Sequence, residues 1–148
     1  MKKFNYQEFY ERVGKENGWD FSQVRVSSEG VAWNFYDEVK KQGQSDSVLL
    51  DIGTGGGENI INIASSFLFV VGIDLARGMI ETARSNIQQS NVPNISCFEM
   101  NADQLQFPNE FFDVVSCCHA PFSAKEISRV VNKGGLFLTQ QVVKKMDN

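Results

Sequence analysis

Apolar residues along this chain follow two alternating rhythms. From Val48 to Ile52 the chain is apolar except at Asp51, the composition of a short strand covered on both faces. Past a cluster of glycines, Ile60, Ile63, Ala64 and Phe67 recur at i, i+3, i+4 and i+7, one buried face of a helix. The same pair of rhythms then repeats. Phe69–Asp74 predicts a second strand, and Met79, Ile80, Ala83 and Ile87 predict a helix that breaks over residues 90–94, where Pro93 stands. Residues 95–100 predict a third strand and residues 113–117 a fourth. Ser123 and Glu126 form a capping box that opens a helix with Ile127, Val130 and Val131 inward, and residues 136–142 predict a fifth strand. Strands alternating with helices predict an α/β fold: a Rossmann-like, doubly wound, mostly parallel sheet.

Upstream, aromatic residues dominate. Phe4, Tyr6, Phe9 and Tyr10 predict a short amphipathic helix over residues 4–12. Ala32, Phe35, Tyr36 and Val39 predict a second helix, with Ser28 as its cap and Lys40, Lys41 and Gly43 as its stop. Residues 1–44 are therefore expected to form an N-terminal helical arm or lid, and residues 45–148 the Rossmann-like domain.

Composition narrows the function classes. A chain of 148 residues suits one domain with one real core. A net charge of −4 disfavours a basic nucleic-acid surface, although it permits a local patch. Cys97, Cys117 and Cys118 fall in or at the ends of predicted strands, without a C-x-x-C pair and with a single histidine. That pattern argues for reduced thiols in a cytoplasmic protein and against a metal site. No apolar run is long enough to span a bilayer, and the first residues do not form a signal sequence, so no membrane partner is expected.

The candidate chemistry begins at the glycines. Four of them fall within residues 53–57, between a predicted strand and a predicted helix. A bare backbone turn leading into a helix N-terminus is a cradle for a nucleotide or nucleoside. The dinucleotide fingerprint G-x-G-x-x-G is not met, because Glu58 stands where its third glycine belongs, and this disfavours an NAD-dependent oxidoreductase. The pattern that is met is D-x-G-x-G-x-G, at Asp51, Gly53, Gly55 and Gly57. Asp74 ends the second strand, where an acceptor-only carboxylate can take both hydrogen bonds of a ribose diol; capping the next helix is its alternative role. Asn101, Ala102 and Asp103 form the tip of the third strand, with a ligand-free Asx turn as the alternative. His119 follows the fourth strand, at the edge where open α/β sheets bind their ligands. It is a candidate proton acceptor, with an ordinary loop residue as the alternative.

Together these residues resemble the class I S-adenosylmethionine-dependent methyltransferases, in particular their type 11-like domains, over about residues 48–142. Further family features are Phe107-Pro108, Phe112-Asp113-Val114-Val115, and the E-x-x-R-V-x-x-x-G-G signature at Glu126, Arg129, Val130, Gly134 and Gly135. The resemblance implies S-adenosylmethionine as cofactor, S-adenosylhomocysteine as product, and methyl transfer to a small-molecule or other acceptor. A cofactor-binding module without turnover is the alternative. The implied cofactor contacts are Asp51, Gly53, Thr54, Gly55, Gly57, Asp74, Leu75, Ala102 and Asp103. Tyr6 and Tyr10 are lid candidates whose rings suit a sulfonium cation, with core packing as their alternative. His119 is the implied catalytic candidate. Phe112 and Asp113 are expected to be structural. Family members continue past the fifth strand with a helix and an antiparallel pair of strands. The sequence therefore predicts a C-terminally truncated fragment, or a homodimer in which another chain covers the exposed fifth strand.

Overall fold

The computed structural model describes residues 2–3, 24–27, 32–141 and 145–146. In chain order the elements are β1 (Lys2–Lys3), β2 (Val24–Ser27), α1 (Ala32–Lys41), β3 (Val48–Ile52) and α2 (Glu58–Ile63), the last prolonged by a 3₁₀ turn at Ala64–Ser66. They continue with β4 (Phe69–Asp74), α3 (Arg77–Ser90), β5 (Ile95–Glu99), β6 (Phe112–Cys118), α4 (Ala124–Val130), β7 (Val131–Gln140) and β8 (Lys145–Met146). Six strands form one sheet in the order β2-β7-β6-β3-β4-β5, with every neighbouring pair parallel. β1 and β8 pair antiparallel as a separate ribbon.

Strand alternation divides the core into two layers. Leu49, Val70, Val114 and Leu138 point to one face, where α1 (Phe35, Val39), α2 (Ile60, Ile63) and α3 (Ile80, Ala83) cover them. Leu50, Ile52, Val71, Val115 and Phe137 point to the other face, under Ile127 and Val130 of α4 and under Leu105 and Phe112. Both faces of β3, β4 and β6 are buried, so these strands read as largely apolar runs rather than as alternating ones. The exception on β3 is Asp51, on the same face as Leu49.

The chain runs outward from β3 through β4 to β5, then returns to β6 on β3's other side. That reversal opens a crevice beyond the carboxyl ends of β3 and β6, the usual ligand site of such sheets. Of the expected capping box one half forms: Ser123 Oγ accepts the Glu126 N–H at 3.2 Å, while the Glu126 carboxylate turns to Leu105 and Arg129. Phe112 is fully buried, and the Asp113 carboxylate accepts the Val48 N–H at 2.8 Å and the Asn132 Nδ2–H at 2.9 Å. Those contacts hold an irregularity in β7, where the register jumps from Phe112↔Val131 to Val114↔Leu136. Gly134 and Gly135 lie in that irregularity, inside a strand that begins at Val131.

The five expected strands all form, and β2 adds a sixth. It pairs with β7 from Val24↔Phe137 to Ser27↔Gln140. The expectation of an exchange of edges with a second chain rested on a bare β7, and β2 occupies that edge. The proposed helix over residues 4–12, with Tyr6 and Tyr10, and the cap Ser28 lie outside the described residues. Among the described residues, no helix is long and apolar enough to cross a membrane.

Candidate functional site

The glycine loop is fastened at one end and bare at its tip. Gly53 N–H and Thr54 N–H both donate to the Ile73 carbonyl, each at 2.9 Å, which hooks the loop over the end of β4. Gly53 has φ +75°, and a Cβ there would lie 2.4 Å from the Ala120 Cβ, so only glycine lets the loop after β3 meet the loop after β6. Gly55 has φ +57°, but around its Cβ direction there is open space for 4 Å. One glycine is demanded by the fold, and the other leaves an uncovered backbone. Gly57 closes the loop as the residue preceding α2, with its N–H on the Thr54 carbonyl at 3.1 Å.

Beneath the loop lies Asp51, fully buried. Tyr36 Oη donates to both of its oxygens, at 2.9 and 3.0 Å, and Ser116 Oγ donates to Oδ1 at 2.7 Å. Burial pushes the Asp51 carboxyl up from its usual 3.8 to about 6; the Ser116 and Tyr36 hydroxyls and nearby Thr54 pull it back, and the Asp74 charge adds to the rise. Burial and the Asp51 charge together push the Tyr36 phenol well above its ordinary range, so it remains a donor. Thr54 Oγ1 lies within electrostatic reach of Asp51 but makes no hydrogen bond of acceptable geometry. It is a buried hydroxyl without a partner among the described residues. Its side chain lies over Gly72, whose Cβ direction meets Thr54 Oγ1 at 2.9 Å.

Tyr36 and Ser116 were missed as site residues. Tyr36 reads as one more apolar position of a helix face, but its hydroxyl needs a partner once buried. Ser116 interrupts the apolar run that follows Asp113 in β6, and the register sets it directly beside Asp51. Those two polar interruptions of apolar patterns are the signals that could have found the pair.

At the tip of β4, Asp74 Oδ2 accepts the Gly55 N–H and Oδ1 accepts the Ala76 N–H, both at 2.9 Å. Ala76, not Asp74, is the residue preceding α3, so the capping alternative takes the form of an Asx turn. Each oxygen keeps a further lone pair, and the carboxylate is only half-buried. Leu75, beside it, is 70% exposed.

The tip of β5 is tied to that of β4 through the Met100 N–H on the Asp74 carbonyl at 3.0 Å. The alternative there, an Asx turn, is made by Asn101, whose Oδ1 accepts the Asp103 N–H at 2.8 Å. The Asp103 carboxylate is exposed, and Ala102 packs against the core.

His119 stands on the other side of β3. It has φ +55°, a left-handed conformation uncommon for a residue with a side chain. Its N–H donates to the Gln140 carbonyl at 2.6 Å, and its exposed ring brings Nε2 to 3.3 Å from Gln140 Nε2. Gln141 Nε2 donates to the Ala120 carbonyl at 3.2 Å and to Thr139 Oγ1 at 2.8 Å, stitching the loop to β7. The sheet order puts His119 two strands from Asp74 and three from Asp103. The structure thus brings Asp51, the glycine loop and Asp74 together, sets Asp103 beside them, and places His119 across the crevice. Burial pushes the thiols of Cys97 and Cys118 up to about 11 and that of Cys117 up to about 12, so all three stay protonated at neutral pH.

Comparison with known proteins agrees with this geometry. A family model described as a methyltransferase domain matches residues 49–135. An uncharacterized methyltransferase of Bacillus subtilis, YcgJ, is 30% identical over 97 residues, which cover 61% of this chain and 38% of that protein. The aklanonic acid methyltransferase DauC of a Streptomyces species is 41% identical over 70 residues, 45% of this chain and 32% of DauC. The crystal structure of YcgJ matches with a TM-score of 0.67 at 28% identity, over 71% of this chain and 49% of that one. The chain therefore spans less than half the length of either curated relative.

Proposed function

The chain belongs to the class I S-adenosylmethionine-dependent methyltransferase family, and from that premise we propose that it binds S-adenosylmethionine and directs methyl transfer to an acceptor. The observation that carries the reading is the Asp74 carboxylate, held by the Gly55 N–H beside a glycine whose Cβ direction is open. An acceptor-only group with spare lone pairs suits a ribose diol, and a bare backbone lets that ribose approach closely. The unpartnered Thr54 hydroxyl supports the same reading, since a buried polar atom without a partner is costly unless a ligand or water satisfies it.

Each residue then has a task. Asp74 holds the ribose, with Leu75 beside it as an exposed apolar face. Ala102 N–H and the Asp103 carboxylate read the adenine edge. Residues 53–57 receive the amino-acid portion. Asp51 and Asp74 make this end of the sheet negative, which favours a cationic ligand. The bound sulfonium supplies the activated methyl group. The protein's contribution is alignment, and positioning alone is worth up to about 7–11 kcal/mol in the best intramolecular cases. His119, at the end of β6, is the candidate to accept a proton from an acceptor group through a ring nitrogen. Three free thiols suit a reducing compartment such as the cytoplasm.

Calorimetric titration tests the reading. S-adenosylhomocysteine is expected to bind saturably and NAD not to bind. Binding of NAD in its place, or of neither, would contradict it. A labelled-methyl assay on cell extract then distinguishes an enzyme, which labels an acceptor, from a binding module, which does not.

A further inference from the structure

Residues 100–111 join β5 to β6 without a helix or strand of their own. Such a segment is a poor platform for recognition unless something outside holds it. Helix α4 supplies the hold. Glu126 Oε1 accepts the Leu105 N–H at 2.8 Å. Arg129 Nη2 donates to the Leu105 carbonyl, and Nη1 donates to the Phe107 carbonyl at 2.7 Å and to Asn109 Oδ1 at 3.0 Å. The two side chains are themselves paired, with Arg129 Nε 2.8 Å from Glu126 Oε2. Their pairing holds the Glu126 carboxyl below its usual range and Arg129 above its own. Leu105, gripped at both its N–H and its carbonyl, is buried. Two residues earlier, Asn101 Oδ1 pins the Asp103 N–H. Asp103 therefore stands between two fixed points, one on its own strand tip and one provided by α4.

We propose that Glu126 and Arg129 are positioning residues for adenine recognition, clamping the backbone at Leu105 and Phe107 so that Ala102 N–H and the Asp103 carboxylate face the edge of the base. This rests on the reading that the site takes S-adenosylmethionine. Arginine is needed because three acceptors lie in different directions around one planar guanidinium, and a lysine ammonium on a flexible stem does not reproduce that fork.

A merely stabilising ion pair would weaken every ligand alike, whereas a positioning pair sets the preference for the adenine amino group. Calorimetry on wild type, Arg129→Lys and Arg129→Ala measures that preference, with S-adenosylhomocysteine and its deaminated analogue S-inosylhomocysteine as probes. Wild type is expected to favour the adenosyl compound by about tenfold or more. Arg129→Ala is expected to lose most of that preference, binding the adenosyl compound about tenfold more weakly while the inosyl compound changes by less than about threefold. Arg129→Lys should fall between, and it carries the test alone if the alanine variant does not fold. A preference that survives in the variants, an equal loss for both compounds, or no preference in wild type overturns the proposal. Wild type binding neither compound contradicts the cofactor reading itself.

Discussion

Asp51 holds a carboxyl group where water does not reach it, and its state couples the protein to pH. Its pKa rises from 3.8 to about 6 on folding, so between those values the folded chain keeps a proton that the unfolded chain has released. Stability from this group therefore grows as pH falls from about 6 toward 4, and its charged form costs about 3 kcal/mol above that window. Glu126 acts in the opposite sense. Its folded pKa lies below the usual 4.5, so its contribution is complete above that value and is lost as pH falls through the lower one. The interval from pH 7 to 5 thus separates Asp51 from Glu126. Urea unfolding is expected to show about 1 kcal/mol more stability at pH 5 than at pH 7, and Asp51→Asn should abolish the difference. Equal slopes in both proteins would contradict the assignment. Tyr36→Phe removes a donor from the buried anion and should cost about 1–3 kcal/mol at pH 7, less at pH 5.

Between β3 and α2, two glycines with similar backbone angles serve different ends. Gly53 is crowded by Ala120 of the loop after β6, while Gly55 faces open space. Gly53→Ala should therefore unfold more readily, by about 1–3 kcal/mol in chemical denaturation. Gly55→Ala should cost about 1–2 kcal/mol in backbone strain but lose most of its affinity for S-adenosylhomocysteine, because the new methyl group fills the approach to the backbone. A Gly55→Ala protein that binds as well as wild type would show that the loop tip does not meet the ligand. This element was legible from the sequence, because strand, turn and helix signals are all local. The strand β2 was not legible. Its four residues offer too short a run for a periodicity, and its partner β7 lies more than a hundred positions later in the chain. The Asp51–Ser116 pairing was hidden for a related reason: only the register of β3 against β6 sets the two side by side.

Across the molecule, one sheet gathers what the chain scatters. β4 and β5 carry two carboxylates to neighbouring tips, β3 carries the bare loop between them and β6, and β6 carries His119 to the far side. The order of these pieces could be read from motifs. Their mutual support could not, because it depends on side chains acting through other side chains: Tyr36 on Asp51, Arg129 on the loop beyond Asp103, Gln140 on His119. A ligand spanning the tips would thus draw on several elements at once, with Asp74 at the centre of the span. Its removal is the most direct test. In a calorimetric titration with S-adenosylhomocysteine, Asp74→Ala is expected to bind at least about tenfold more weakly than wild type, the loss of a hydrogen-bonded charged acceptor. Unchanged affinity in a folded Asp74→Ala protein would contradict the ribose assignment and, with it, the site proposed at these strand ends.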